Sequence, residues 1–157
     1  MLQCHSEMEF SYKLKGAGWG EARVGDAANH VLLPTSYLTD VLSELLQAVG
    51  TLLEGAWSAQ CSWEEEPGEY RWLFERRDGR VSVRILAFSS QYPPQPDGAG
   101  TLVFETECSL MEAASAIAGG CEQVLVEHGE AGYKEKWIEH PFPTEILKMV
   151  KATLTDP

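Results

Sequence analysis

From Trp57 to Phe88 the chain alternates apolar and polar residues in three consecutive runs, the pattern of three antiparallel strands. The sharpest punctuation is Arg77-Asp78-Gly79-Arg80. Asp-Gly between alternating runs marks a two-residue hairpin, because a type I′ turn needs positive φ at both central positions. That loop sets a register: Phe74 opposite Val83, Trp72 opposite Ile85, and Tyr70 opposite Ala87. These pairs make an apolar face. The other face is mixed, with Glu75 beside Ser82, Leu73 beside Arg84 and Arg71 beside Leu86, as in a sheet that covers a core on one side. The preceding turn is Glu66-Pro67-Gly68-Glu69, whose Pro-Gly centre suits a four-residue loop better than a two-residue one. Either loop keeps the parity, and the expected pairs are Trp63 with Trp72, Cys61 with Phe74 and Glu64 with Arg71. Two facing indoles bury a large area and anchor a core.

Upstream, Glu9 to Lys15 alternates with Phe10, Tyr12 and Leu14 on one face, a half-buried strand. Trp19 to Val24 and Ala28 to Leu33 read as two short strands turned at Gly25-Asp26. Leu38, Val41, Leu42, Leu45, Val49, Leu52 and Leu53 then recur at helical spacing, with Thr35 or Ser36 as N-cap and Gly55 as the stop. After the three-strand meander, Ser89 to Gly100 carries Pro93, Pro94 and Pro96 and no periodicity, which makes it a surface crossing. Thr101 to Glu107 alternates again as a strand. Ser109-Leu110-Met111-Glu112 is a capping box that opens a helix to His128, interrupted by Gly119-Gly120 and closed by Gly129. Gly-Gly inside a helix implies close packing or a bend. A last short helix runs from Pro143 through Leu154. The expected fold class is therefore α+β: an antiparallel sheet of about five to seven strands with two or three helices packed on one face. At 157 residues one domain is the default.

Charge adds a constraint on partners. The net charge is −12, which argues against nucleic acid and anionic membranes and suits a basic protein. The apolar runs are too short to span a bilayer, and Met1-Leu2-Gln3-Cys4 lacks the apolar stretch of a signal peptide, so a cytoplasmic location is expected. Cys4, Cys61, Cys108 and Cys121 include no C-x-x-C pair, and His5, His30, His128 and His140 include no i, i+4 pair. No metal site and no cofactor is expected, and no catalytic residue is assigned. There is no Gly-x-Ser-x-Gly elbow, no Gly-x-Gly-x-x-Gly and no Walker lysine loop.

Three clusters remain. Glu64, Glu65, Glu66 and Glu69 surround the Pro-Gly turn, but consecutive strand residues face opposite ways, which favours a solvated tip. Arg76, Arg77 and Arg80 gather at the other tip, where forked guanidinium groups suit phosphate or carboxylate. The segment from Gly132 to Pro143 is dense in aromatic residues without clear periodicity. Tyr133, Trp137 and His140 are the candidate binding residues there, against the alternative of a segment tucked onto the sheet.

Ser62-Trp63-Glu64, Pro67-Gly68-Glu69-Tyr70-Arg71-Trp72, Tyr133-Lys134-Glu135-Lys136-Trp137 and His140-Pro141-Phe142-Pro143 together resemble a group of small bacterial proteins of unknown function. The resemblance covers about the last two thirds of the chain and implies a bacterial cytoplasmic origin, with no activity or binding residue attached. The leading functional expectation is an acidic, non-enzymatic protein-interaction module, an inhibitor or immunity-type partner of a basic protein. The alternative is a small-molecule-binding protein or enzyme with a pocket near 132–143. The chain is expected as a monomer or homodimer, the dimer joined through a patch of Leu73, Leu86 and Phe88 on the mixed sheet face.

Overall fold

The computed structural model describes residues 8–16, 18–36, 39–65, 67–90, 92–137 and 140–155. Among these the order is β1 (Glu9–Gly16), β2 (Trp19–Gly25), β3 (His30–Ser36), α1 (Val41–Leu53), β4 (Ser58–Glu64), β5 (Glu69–Arg77), β6 (Arg80–Phe88), β7 (Thr101–Ser109), α2 (Leu110–Trp137) and α3 (Thr144–Thr155). The fold is α+β, and its strands divide into two antiparallel sheets, β1-β2-β3 and β4-β5-β6-β7.

The Asp78-Gly79 hairpin has the predicted register, with Trp72 opposite Ile85 and Phe74 opposite Val83; Asp78 takes a φ of 59° but Gly79 has no positive φ, so the turn is not the expected type I′. The β4–β5 register differs from expectation by two residues. Cys61 lies opposite Trp72, Trp63 opposite Tyr70, and Glu64 opposite Glu69, and the Glu65 N–H donates to the Gly68 carbonyl at 3.0 Å across the turn. A shift of two preserves the parity, so Trp63 and Trp72 still share the inner face, diagonal to one another with ring centroids 5.0 Å apart.

One continuous core joins the sheets. Phe10 meets Trp72 edge-on at 6.1 Å and Tyr12 meets Trp63 at 6.3 Å, so β1 of one sheet packs against β4 and β5 of the other. The same cluster takes in Leu42, Leu45 and Val49 of α1, Ile117 and Cys121 of α2, and Leu147 and Val150 of α3. Separation into two sheets follows from β3. It is an edge strand, its Pro34 lacks a ladder donor, and the chain leaves it for α1 before β4 pairs with β5.

The helices correct two boundaries. Thr35 and Ser36 end β3 and are buried, so neither caps α1, which starts at Val41 after Asp40; Leu38 lies outside the described residues. The Gly119-Gly120 pair neither stops nor bends α2; Gly120 sits against Phe10 of β1 where a side chain has no room. Gly129 kinks α2 at φ 68° and ψ 170°, and the chain then resumes a helical course to Trp137. The capping box forms as predicted: Glu112 N–H donates to Ser109 Oγ and Ser109 N–H donates to Glu112 Oε1, both at 3.0 Å.

The crossing between β6 and β7 overturns the expected dimer patch. Leu73, Leu86 and Phe88 are only 7%, 5% and 4% exposed and form a second small core on the outer face of the four-stranded sheet. The crossing covers them. Arg71 Nη1 donates to the carbonyl of Gln95 at 2.9 Å and to Asp97 Oδ1 at 2.8 Å, and its guanidinium stacks 4.2 Å over the Phe88 ring. Gly100 meets the other side of this cluster, close against Phe88.

Candidate functional site

The start of α1 and the β4–β5 turn are pinned together. Trp63 Nε1 donates to the Val41 carbonyl at 3.1 Å, and Glu64 N–H donates to Thr39 Oγ1 at 2.9 Å. This pinning lines up carboxylates that the sequence holds far apart. Asp40 and Glu44 from α1, Ser62 and Glu64 from β4, and Glu69 from β5 line a groove of about 510 Å³ with Thr39, Tyr92, Pro94 and His140.

The groove's electrostatics are uneven. Glu64 and Glu69 are cross-strand partners, an arrangement in which like charges repel. Glu69 is neutralised from behind: Arg71 Nε and Nη2 donate to its two oxygens at 3.1 and 3.3 Å, and Ser62 Oγ donates to it at 2.6 Å. Burial acts to lower the Arg71 pKa, but the hydrogen bonds and charges of Glu69 and Asp97 outweigh it and hold the guanidinium charged. Glu44 is exposed, and Tyr92 stands 74% exposed at the rim. Asp40 is held above the usual carboxylate range by burial, against the opposing pull of His140 and the Ser43 N–H. His140 Nδ1 lies 3.8 Å from Asp40 Oδ2.

Of the three candidate binding residues, His140 lines the groove and the other two lie beneath it. Tyr133 and Trp137 are fully buried, four residues apart on one face of α2, and belong to the core. Trp137 packs edge-on to Tyr12 at 6.0 Å, and Tyr133 packs edge-on to Phe142 at 5.2 Å. Burial first, then the neighbouring Tyr12, Asp40 and Cys121, push the Tyr133 phenol upward and keep it neutral.

Of the remaining singled-out residues, Arg77 and Arg80 line a second concavity of about 650 Å³ with Asp26, Glu105 and Glu107, and the others lie apart. Glu65 turns toward Tyr70, whose phenol is pushed up to about 12 by burial and then by Glu65; Glu66 lies outside the described residues. Arg76 donates to the Leu52 carbonyl at 3.0 Å, and Arg80 pairs with Glu107 at 3.8 Å. His30 bonds Glu9 at 2.8 Å, and His128 stands 3.9 Å from Glu127, while His5 and Cys4 lie outside the described residues. Cys61, Cys108 and Cys121 are free and buried, and burial raises all three thiols, Cys108 to about 11. Among the described residues no group of three or more His, Cys, Asp and Glu is placed to hold a metal ion, and no helix is long and apolar enough to cross a membrane.

Sequence reasoning missed Asp40, Glu44 and Tyr92 as groove residues. Two signals pointed there: acidic residues at the N-cap and in the first turn of α1, and an aromatic residue inside a proline-rich crossing.

No family model and no curated protein matches the chain. Among solved structures it is similar to a chain of the "CdiA-CT/CdiI toxin and immunity complex from Enterobacter cloacae", with 13% identity and a TM-score of 0.49, over 72% of this chain and 99% of that one.

Proposed function

We propose that the protein is a non-enzymatic interaction module that receives a basic protein in the groove between the start of α1 and the β4–β5 turn. The observation that carries this reading is the convergence of Asp40, Glu44, Glu64 and Glu69 on one concave surface. The exposed Tyr92 ring at its rim supplies a face for a lysine or arginine side chain, and the net charge of −12 steers a basic partner toward the molecule. A module of this kind would act as an inhibitor or immunity-type protein does, by occupying the basic surface its partner needs.

The test is a titration of isotopically labelled protein with a Lys- and Arg-rich peptide, followed by amide chemical shifts. Perturbations gathered on residues 39–44, 62–69 and 92–94, and lost in the double variant Glu44→Lys/Tyr92→Ala, are expected. Perturbations spread evenly over the acidic surface, and unchanged in that variant, would overturn the reading.

A further inference from the structure

Asp40 and His140 come from distant parts of the chain. Asp40 precedes α1, and His140 lies in the link between α2 and α3. They meet with Nδ1 and Oδ2 3.8 Å apart, and both side chains are about three-quarters enclosed, His140 at 26% and Asp40 at 28% exposure. Their other polar atoms, His140 Nε2 and Asp40 Oδ1, are buried and have no hydrogen-bond partner. Each of the two groups therefore has the other as its nearest ionic complement, and a carboxylate withdrawn from water this far needs one.

Among the described residues, the Ser43 N–H of α1 is the other group that draws on the Asp40 carboxylate. From α2, Tyr133 approaches Asp40, and beyond it lies Tyr12 of β1; burial raises both phenols and keeps them neutral. Trp137 of α2 carries no titratable group. Across the groove stand Glu44 of α1, Glu64 of β4 and Glu69 of β5, the last already answered by Arg71. Among the groove-lining residues, His140 is the one able to carry a positive charge. Imidazole is also the side chain whose charge changes between pH 5 and 8.

We infer that Asp40 and His140 form a proton-operated clasp. With His140 protonated, an ion pair ties the α2–α3 link to the start of α1 and cancels one negative charge in the groove wall. With His140 neutral, the ion pair is gone and the groove presents its full acidity. The clasp stands on the geometry of the pair alone. Its consequence for binding, a tighter hold on a basic partner at pH 8 than at pH 6, rests on the proposed docking role of the groove.

Two measurements separate these claims. The first follows the His140 ring resonances with pH in the wild type and in Asp40→Asn. Removing the counter-charge is expected to lower the His140 midpoint, while His30, paired with Glu9, does not move. If Asp40→Asn does not fold, Asp40→Ser keeps an oxygen at the helix start and serves instead. An unchanged His140 midpoint overturns the clasp. The second compares binding of the Lys- and Arg-rich peptide at pH 6 and pH 8. Wild type is expected to bind several-fold more tightly at pH 8, and His140→Gln equally at both. A moved midpoint with no peptide binding retains the clasp and removes the docking role. Peptide binding with an unmoved midpoint does the reverse.

Discussion

Gly120 of α2 and Phe10 of β1 are in direct backbone contact: a Cβ on Gly120 would stand 2.5 Å from Phe10 Cδ2 and 2.6 Å from the Phe10 carbonyl oxygen. This approach seats α2 on β1. Its neighbour Gly119 is exposed, and a Cβ there would have nothing within 4 Å. The two adjacent substitutions therefore have opposite signs. Gly120→Ala is expected to destabilise by about 1–3 kcal/mol, since the obstacle includes backbone. Gly119→Ala is expected to stabilise by up to about 1 kcal/mol through helix propensity. Urea unfolding midpoints of the two variants decide this, and equal effects would discard the close-packing account.

Arg71 holds Glu69 and the crossing over Phe88 at once. Arg71→Met leaves the Glu69 carboxylate buried without its cation, a loss of about 3–5 kcal/mol. Arg71→Lys keeps a charge but not the fork, and is expected to fall between. Because the crossing also carries Tyr92, limited proteolysis of both variants should show faster cleavage within residues 89–100. A cleavage rate equal to wild type would show that Arg71 does not hold the crossing.

The Asp26 carboxyl is held below the usual range. Burial raises it, but the backbone N–H groups of Asn29 and Ala28, with His30 nearby, more than reverse this. Both backbone bonds to Oδ1 are 2.9 Å long. A lowered folded pKa means that the unfolded chain binds the proton more readily. The contribution is therefore present above the unfolded value and lost as pH falls through the folded one. Wild type and Asp26→Asn should differ in thermal stability at pH 7, with the gap shrinking as pH falls below about 4 and closing only below the folded value. A gap that persists at low pH would assign the effect to packing.

Asp40 has the opposite sign. Its folded pKa is raised by burial, so the stabilising term belongs to the protonated carboxyl and is lost as pH rises through the folded value. Asp40→Asn is expected to match or exceed wild type in stability at pH 8. A large loss there would mean that ionised Asp40 stabilises the start of α1.

Ser109 and Glu112 bond reciprocally at the start of α2. Ser109→Ala should cost about 1 kcal/mol in chemical denaturation. No loss would show that the strand-to-helix junction of β7 and α2 is held by packing instead.

Local chemistry determined the elements that depend on near neighbours. Asp78-Gly79 closes its hairpin in the predicted register, and Ser109 with Glu112 caps α2, because in each case the partners lie within a few residues. Alternation placed Phe10, Tyr12, Trp63 and Trp72 on inner faces, and parity survived even the two-residue shift of β4 against β5. The tertiary structure decided what lies between elements. Only packing brings Tyr133 and Trp137 beneath the groove instead of into it, folds the crossing back onto Leu73, Leu86 and Phe88, and splits the strands into two sheets. The groove belongs to the same class. Asp40, Glu64, Tyr92 and His140 have no local relation, and their assembly depends on long-range burial of aromatic surface that no window of sequence contains.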